Sequence, residues 1–518
     1  GNLLGSILLR GHFRVATHRP DLGNASGGRK METNIAYLLI FATLGFFGYV
    51  GFQAATEKEL DEDAYLSARG SQNWFRIGLS LFASGMGVWI LLTPSEVGYY
   101  GGFWDVMGYA LSAATPFLLL AYVGPKIREK LPDGVTLADY VRMRIGRPMQ
   151  IYVGVISILY MFTFLFAEFT VIGVVMERLT DVNTLVVMIA VGLVTTAYTT
   201  YGGLPTSLRT DRWQAWGIIW LIVILFLLLF GKDMGSLIAD AKAYNPIDED
   251  SYGSISYMDT FASGLALVVA ITAAEMFSQG NWQRTWASED EKALKKGAWL
   301  AAGLVMPLVF VMGFLGTVVA GQGLIEGDAP LSEKAAAFFY LIEDVHVIII
   351  AGLIVLAIAL VCSSVDTLQN AIVASISRDI ADGKMDLKQA RIATVALIPL
   401  AIYLATEPTI PLVGWEVNTT SVFAIFLRAD LLATATVLPI FLTLWGKIKP
   451  NAALAGAISG LLSVILYGWI TADFSAGLGY LWSPTNNWGL ANLDVFLAAL
   501  FGSALVTVVG SLAVPDGS

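Results

Sequence analysis

The chain has 518 residues, of which 56% are hydrophobic and only 14% charged, and its mean hydropathy is +0.68. A soluble chain of this length carries about a quarter charged residues, so the composition excludes an ordinary set of water-soluble domains and indicates an integral membrane protein. A net charge of −10 leaves no basic surface for nucleic acid, the single cysteine (Cys362) excludes an internal disulfide, and three histidines (His12, His18, His346) make a zinc site a poor expectation.

In chain order, residues 1–30 come first. They are basic but lack an apolar h-region of the usual length and a small-residue cleavage site, so they read as an atypical extension, disordered or foreign to the native chain, with Met31 as the expected start. From METNIAYLLIFATLGFFGYVGF onward the text is membrane-like. A span needs about 20 mostly apolar residues. Such runs fall near 34–55, 75–97, 103–124, 149–177, 184–201, 209–231, 259–280, 297–321, 340–377, 391–406, 419–445, 452–472 and 489–513. The expectation is therefore an all-α fold of roughly thirteen transmembrane helices in one domain, 31–518. With the N-terminus outside the cell membrane and the C-terminus cytoplasmic, the basic loop residues gather on the cytoplasmic side. Apart from the tail, Arg178, Lys232, Lys242 and Lys334 are the exceptions.

Two spans are interrupted. Ala83-Ser84-Gly85-Met86-Gly87 puts weak helix formers at membrane depth, with Pro94 after them, and the span at 259–280 gives way early to Glu275, Ser278, Gln279, Gly280 and Asn281. Non-helical backbone is tolerated in a bilayer only where protein buries it or a wet cavity needs it. If the span at 34–55 is peripheral, like 452–472 and 489–513, the interrupted spans are helices 1 and 6 of a ten-helix core, each opening a five-helix block, about 75–232 and 259–445. Paired breaks in two halves point to a secondary transporter built from inverted repeats. Glycines that merely allow close packing explain either break alone, but explain the pairing less well.

Several polar residues lie in apolar text. Trp89, just past the first break, can stack on a ligand, although interior tryptophan more often packs. Glu168 in FTFLFAEFTVIG lies within helix 3, and an intramembrane carboxylate is a functional candidate. Asp211 begins helix 5, where a helix N-terminal acid paired with Arg209 or Arg212 is an equally good explanation. Glu275 and Gln279 lie at the second break. In CSSVDT (362–367), at the end of the apolar run VHVIIIAGLIVLAIALV, Ser363 and Ser364 offer hydroxyl oxygens and Asp366 and Thr367 follow one turn later. Serine and threonine often bond back to the carbonyl four residues earlier, but four polar groups together are harder to satisfy that way. Hard cations take oxygen ligands, and unwound carbonyls near Ala83 and Met86 can complete a shell for sodium. Arg428 and Asp430 lie within helix 10, two residues apart, so Arg428 needs a partner from across the bundle. Three acids against one base on helices 3, 6 and 10 suggest a pocket for amide or amine donors.

Six stretches, YLSARGSQNWFRIGLSLFASGMGVW, TLADYVRMRIG, YGGLPTSLRTDRWQ, QGNWQRTWASED, CSSVDTLQNAIVASISRDI and LWGKIKPNAALAGAISGLL, occur in one order. Together they resemble the sodium:solute symporter family of proline, sialic acid, sodium-glucose and urea carriers, over residues from about 34 to 510. The resemblance implies an amino-acid-transporter-like five-plus-five inverted repeat with broken helices 1 and 6, and sodium-driven uptake by alternating access. Carried over by position, the main sodium site takes carbonyls at Ala83, Met86 and Leu360 and hydroxyls at Ser363 and Ser364. A second sodium site, present in some members, falls on Asp211, Asp366 and Thr367, where Asp366 is a carboxylate in place of a hydroxyl; one sodium per cycle is the safer expectation. Substrate residues of the proline carrier match Leu165 and Glu275, so that pattern is not kept, and the sialic acid carriers' helix 3 arginine has no counterpart. The expected pocket residues are Trp89, Glu168, Glu275, Gln279 and Arg428, and the expected substrate is a small polar solute, leaning to urea, an amine or an amino acid.

The partners expected are that substrate and the lipid bilayer, with no obligate protein partner. A sensor on the same fold is the competing function, to be told apart by a cytoplasmic effector domain, and after the last span only a few residues follow, ending in PDGS. An enzyme is not expected, because no paired His, Cys nucleophile or phosphate loop supports one. Asn418-Thr419-Thr420 fits a glycosylation sequon on the outer side.

Overall fold

In a lipid core every backbone N–H and C=O must find its partner within the protein, which is why the apolar runs form long helices. The structure, a computed structural model, describes residues 29–56, 62–229, 233–243, 253–326, 329–406, 409–412, 415–418, 422–486 and 489–513. Among the described residues ten helices are long and apolar enough to cross a bilayer, or eleven when the bent pair Phe261–Glu275 and Gln279–Ala287 is taken as one span.

Two of these helices are too long for one crossing. Thr93–Lys130 has 38 residues and Thr184–Leu229 has 46. At about 1.5 Å per residue both exceed the roughly 30 Å hydrocarbon core by almost a factor of two or more. Each contains one glycine in the left-handed region, Gly102 (φ 68) and Gly203 (φ 54). A side chain strains the backbone there, so glycine marks the place where the helix can break. At Gly203 the chain folds back: Tyr198 and Ser207, on either side of it, both donate to the Asp366 carboxylate, at 2.8 and 2.6 Å. In a continuous helix residues nine apart are about 13 Å apart along the axis.

With these divisions each expected span has its helix. Core helix 1 is Trp74–Gly85, the 3-10 turn Val88–Leu91 and the stretch from Thr93 to Gly102. Core helix 2 continues to Lys130, core helix 3 is Arg147–Leu179, and core helices 4 and 5 are the two arms of Thr184–Leu229. Core helix 6 is the bent pair, core helix 7 is Glu291–Gln322, and core helix 8 is Val347–Ser375 with a π turn at Ile376–Ile380. Core helix 9 is Leu387–Thr406 and core helix 10 is Val422–Phe441. Thr33–Thr56, Pro450–Thr471 and Leu493–Ala513 lie outside this set. An odd number of crossings per block sets the second block of five across the membrane in the opposite sense to the first.

Lipid tails are as apolar as leucine, so close backbone packing and interhelical hydrogen bonds hold such a bundle together. Core helices 1 and 7 show the first device: a Cβ on Gly98 would meet the Gly313 carbonyl oxygen at 1.9 Å. Large apolar side chains such as Trp220 and Ile348 are exposed on the outside of the bundle, as lipid contact requires. Thr136 and Asp139 form a capping box that starts the short helix Leu137–Arg144. That helix is tied to the end of core helix 8 through Arg142 and Asp382, and the hydrogen bond from Arg142 holds the Asp382 carboxyl below its ordinary value.

Two features were not anticipated. Strands Thr409–Leu412 and Trp415–Asn418 pair antiparallel as a hairpin between core helices 9 and 10. Asn418 of the sequon closes it; Thr419 and Thr420 lie outside the described residues. At the other end of the chain, residues 1–28 also lie outside them, and the last two residues of the supposed extension, both exposed, are tied to the bundle: Arg29 N–H donates to Glu343 O (2.8 Å), and Lys30 pairs with Asp181 (2.9 Å).

Candidate ion and substrate sites

Core helix 1 stops after Gly85 and restarts at Thr93, with Pro94 preset for the first turn. The break exposes backbone groups that need partners. The Glu168 carboxylate, from core helix 3, accepts from Val88 N–H (2.8 Å) and Trp89 N–H (3.3 Å). Its approach is so close that a Cβ on Gly87 would meet Glu168 Oε1 at 2.3 Å. Glu168 is fully buried and outside the substrate cavity described below, so it caps the restarted helix as an acid at a helix N-terminus does.

Core helix 6 bends by 59° between Glu275 and Gln279. Here side chains cap the freed carbonyls: Trp282 Nε1 donates to Met276 O (2.7 Å), and Asn281 Nδ2 donates to Glu275 O (3.4 Å) and Oε2 (3.1 Å). Gln279 accepts from Leu137 N–H (2.8 Å) and donates to Ser157 Oγ (2.8 Å). It pins the bend to the short helix Leu137–Arg144 and to core helix 3, and it does not line the cavity. Sequence put Glu168 within helix 3 and Gln279 at the second break and gave both to the substrate; in the structure Glu168 accepts from two backbone N–H groups, and Gln279 bonds Leu137 N–H and Ser157.

At the first break Ser363 Oγ stands 3.3 Å from Ala83 O and 3.1 Å from Asp211 Oδ1, and Ser364 Oγ stands 3.2 Å from Leu360 O. Oxygens held at about 2.3–2.6 Å by a hard cation of calcium's size lie roughly 3.3–3.7 Å from their neighbours at right angles. The 3.3 Å spacing of Ser363 Oγ and Ala83 O falls at the edge of that range, and the 3.2 Å of Ser364 matches ordinary back-bonding. Met86 O belongs to the same unwound segment, and Met86 N–H returns to Phe82 O (3.1 Å) and Ala83 O (3.2 Å).

Asp211, Asp366 and Thr367 do come together, around a residue that the loop assignment had put on the cytoplasmic surface. Arg284, from the second half of core helix 6, is fully buried and ion-paired with fully buried Asp211 at 2.7 Å. The expected partners Arg209 and Arg212 are not in that pair. The bend of core helix 6 is the physical reason: it turns QGNWQRTWA inward, and every residue from Gln279 to Ala287 is buried. The Asp366 carboxylate accepts from Tyr198 (2.8 Å), Ser207 (2.6 Å) and Thr210 (3.0 Å) hydroxyls.

The cavity lies on the other side of the first break. Met86, Trp89, Tyr109, Tyr160, Phe164 and Phe426 contribute to its wall, with Glu275 and Asp430 among them, and its volume is about 70 Å³. Tyr160 OH donates to Glu275 Oε1 at 2.7 Å. Among the lining residues two buried polar atoms have no partner in the protein, Asp430 Oδ2 and Trp89 Nε1. Of the expected pocket residues, Trp89 and Glu275 line it, whereas Arg428 does not. Asp430 faces the cavity, and two residues along a helix turns the side chain by about 200°. Arg428 accordingly points away, donating to Trp482 O (2.9 Å) with its guanidinium 4.7 Å from the Trp482 ring. A carbonyl and an indole are the partners that Arg428 finds.

Broken helices 1 and 6, a hydroxyl pair on helix 8 and a cavity beside the two breaks suggest a transporter. The model of the sodium:solute symporter family matches residues 65–460. The chain belongs to the sodium:solute symporter family. Among other family relatives, it is 28% identical over 488 residues to the spermidine transporter DUR31 of Candida albicans, covering 91% of this chain and 88% of that protein. Sodium/proline symporter 2 of Staphylococcus saprophyticus is 24% identical over 468 residues, covering 84% and 86%. The fold is shared with a Na⁺-coupled sialic acid symporter solved in a substrate-bound outward-open state, at 14% identity and a TM-score of 0.68, covering 93% of this chain and 98% of that one. Transmembrane sodium symport is the activity class to which this symporter is assigned.

Proposed function

We propose that the protein is a cell-membrane symporter that imports a small organic cation, an amine, on the sodium gradient. The observation that carries the substrate is the pair Glu275 and Asp430 in an aromatic-walled cavity with no basic residue in its lining. A carboxylate oxygen without a partner, Asp430 Oδ2, is costly to bury and is relieved by an ammonium donor. Aromatic faces attract the same charge. A carboxylate-bearing solute has no cation to meet there, because Arg428 faces away. The relative named a spermidine transporter supports this reading over a neutral solute. A cavity of about 70 Å³ holds one amine end; a longer polyamine needs it to widen.

Sodium, in this reading, is held between core helices 1 and 8 by Ala83, Met86 and Leu360 carbonyls with Ser363 and Ser364 hydroxyls. Bridging the two helices stabilises one arrangement of the bundle over the other, which is how an ion shifts a conformational equilibrium. The blocks 75–232 and 259–445 would then rock against each other, with the N-terminus outside, as the basic loop residues favour.

Uptake into proteoliposomes under a sodium gradient tests the proposal with labelled spermidine, putrescine, proline and urea. Sodium-dependent uptake of the amines is expected, and Asp430→Asn should lower it at least tenfold while the protein still binds sodium. Uptake of proline or urea with indifference to the amines would overturn the substrate assignment.

A further inference from the structure

Arg284 has acceptors on several sides. Its Nε donates to Ser80 Oγ (2.8 Å), one terminal nitrogen to Gly280 O (3.0 Å), and the other to Asp211 Oδ2 (2.7 Å) and Thr367 Oγ1 (3.0 Å). A carboxylate, two hydroxyls and a carbonyl from core helices 1, 5, 6 and 8 thus surround one positive charge that no water reaches. These are the ligand types that a hard monovalent cation takes. Gly280 makes the approach possible, since a Cβ there would meet Thr367 Cγ2 at 2.9 Å.

We infer that the Arg284 guanidinium is the resident cation of this second position, so that the symporter couples to one sodium ion and Asp211 serves that ion by orienting Ser363. The inference rests on the sodium site proposed above. A buried charge is tolerated when paired and hydrogen-bonded, and here the pair is made and four of the five guanidinium N–H donors have acceptors. Ser363 has a single hydroxyl proton and two acceptors in reach, Asp211 Oδ1 at 3.1 Å and Ala83 O at 3.3 Å. Giving the proton to the carboxylate leaves the oxygen lone pairs toward the Ala83 carbonyl, the side on which the ion binds. Ser80 fixes Asp211 from below, accepting from Arg284 and donating to Asp211 Oδ2. Asp211 and Arg284 neutralise each other as a pair, so Asp211 leaves no uncompensated negative charge at this position to draw in a second cation.

Equilibrium binding of radioactive sodium to the purified full chain in lipid nanodiscs counts the ions. The wild type should bind one per chain, Arg284→Lys one, and Arg284→Ser two, and adding Ser363→Ala to Arg284→Ser should return the count to one. A merely structural guanidinium predicts the reverse pattern of damage, with Arg284→Lys impaired and Arg284→Ser still at one, and that result overturns the inference. Two ions bound by the wild type overturn it as well, without any variant. No ion bound by the wild type overturns the sodium site itself, a different failure. Should Arg284→Ser not fold, Arg284→Gln reads the same count with an amide oxygen as an added ligand.

Discussion

Ser363 shows how much one hydroxyl carries. It joins core helices 1 and 8 at the break, and in the proposed ion site its loss removes an oxygen ligand from a charged partner, worth about 1.5–3 kcal/mol. Ser363→Ala should therefore raise the sodium concentration for half-maximal uptake roughly 10- to 150-fold. Ser364, whose bond to Leu360 O stays within core helix 8 and does not reach core helix 1, should show the smaller effect. Unchanged sodium activation in both variants would remove these serines from the ion site. Which polar residues matter was legible in the sequence, because each stands out against apolar text; what each one touches was not. Glu168 reads as a substrate acid until two backbone N–H groups are seen in front of it. Arg284 reads as one of the cytoplasmic basic residues, because QGNWQRTWASED is polar and lies at the end of an apolar run. Asp430 and Arg428 are two residues apart, so only the direction of the helix decides which one faces the cavity.

Among the elements, the broken helices and the Gly203 hairpin organise the site. The two arms around Gly203 deliver Tyr198, Ser207 and Thr210 to one carboxylate, and a Cβ at Gly203 would meet Tyr65 at 2.5 Å as well as straining the backbone. Left-handed strain alone costs about 1–2 kcal/mol, and the clash adds to it. Gly203→Ala should reduce the yield of monodisperse protein severely and lower its thermal midpoint. A variant with wild-type stability would show that the turn tolerates a side chain and is not what sets helix 5 against helix 8. The breaks themselves were legible from glycine, proline and polar residues at membrane depth. Their caps were not, since Trp282 and Asn281 look like ordinary members of a polar helix until the 59° bend brings them back over Glu275 and Met276.

For the whole molecule, the proposed ion site, the Arg284 cluster and the cavity all take residues from core helix 1, so the proposed rocking of the blocks reaches all three. Cys362, next to Ser363 and fully buried, reports on that motion. A small maleimide should label it far more slowly than it labels the denatured chain, and saturating sodium should change the rate at least severalfold. Labelling indifferent to sodium would mean that helix 8 does not move relative to its neighbours when the ion binds. The sequence by itself determined the membrane class, the spans and the two breaks, because those follow from composition and from residues that cannot continue an apolar helix. The tertiary structure alone decided which charges meet. The Asp211–Arg284 pair joins residues 73 positions apart, and the Glu275–Asp430 cavity joins two separate helices. Side-chain direction and helix bending set those distances, and neither is written in the periodicity of a chain that is apolar on every face.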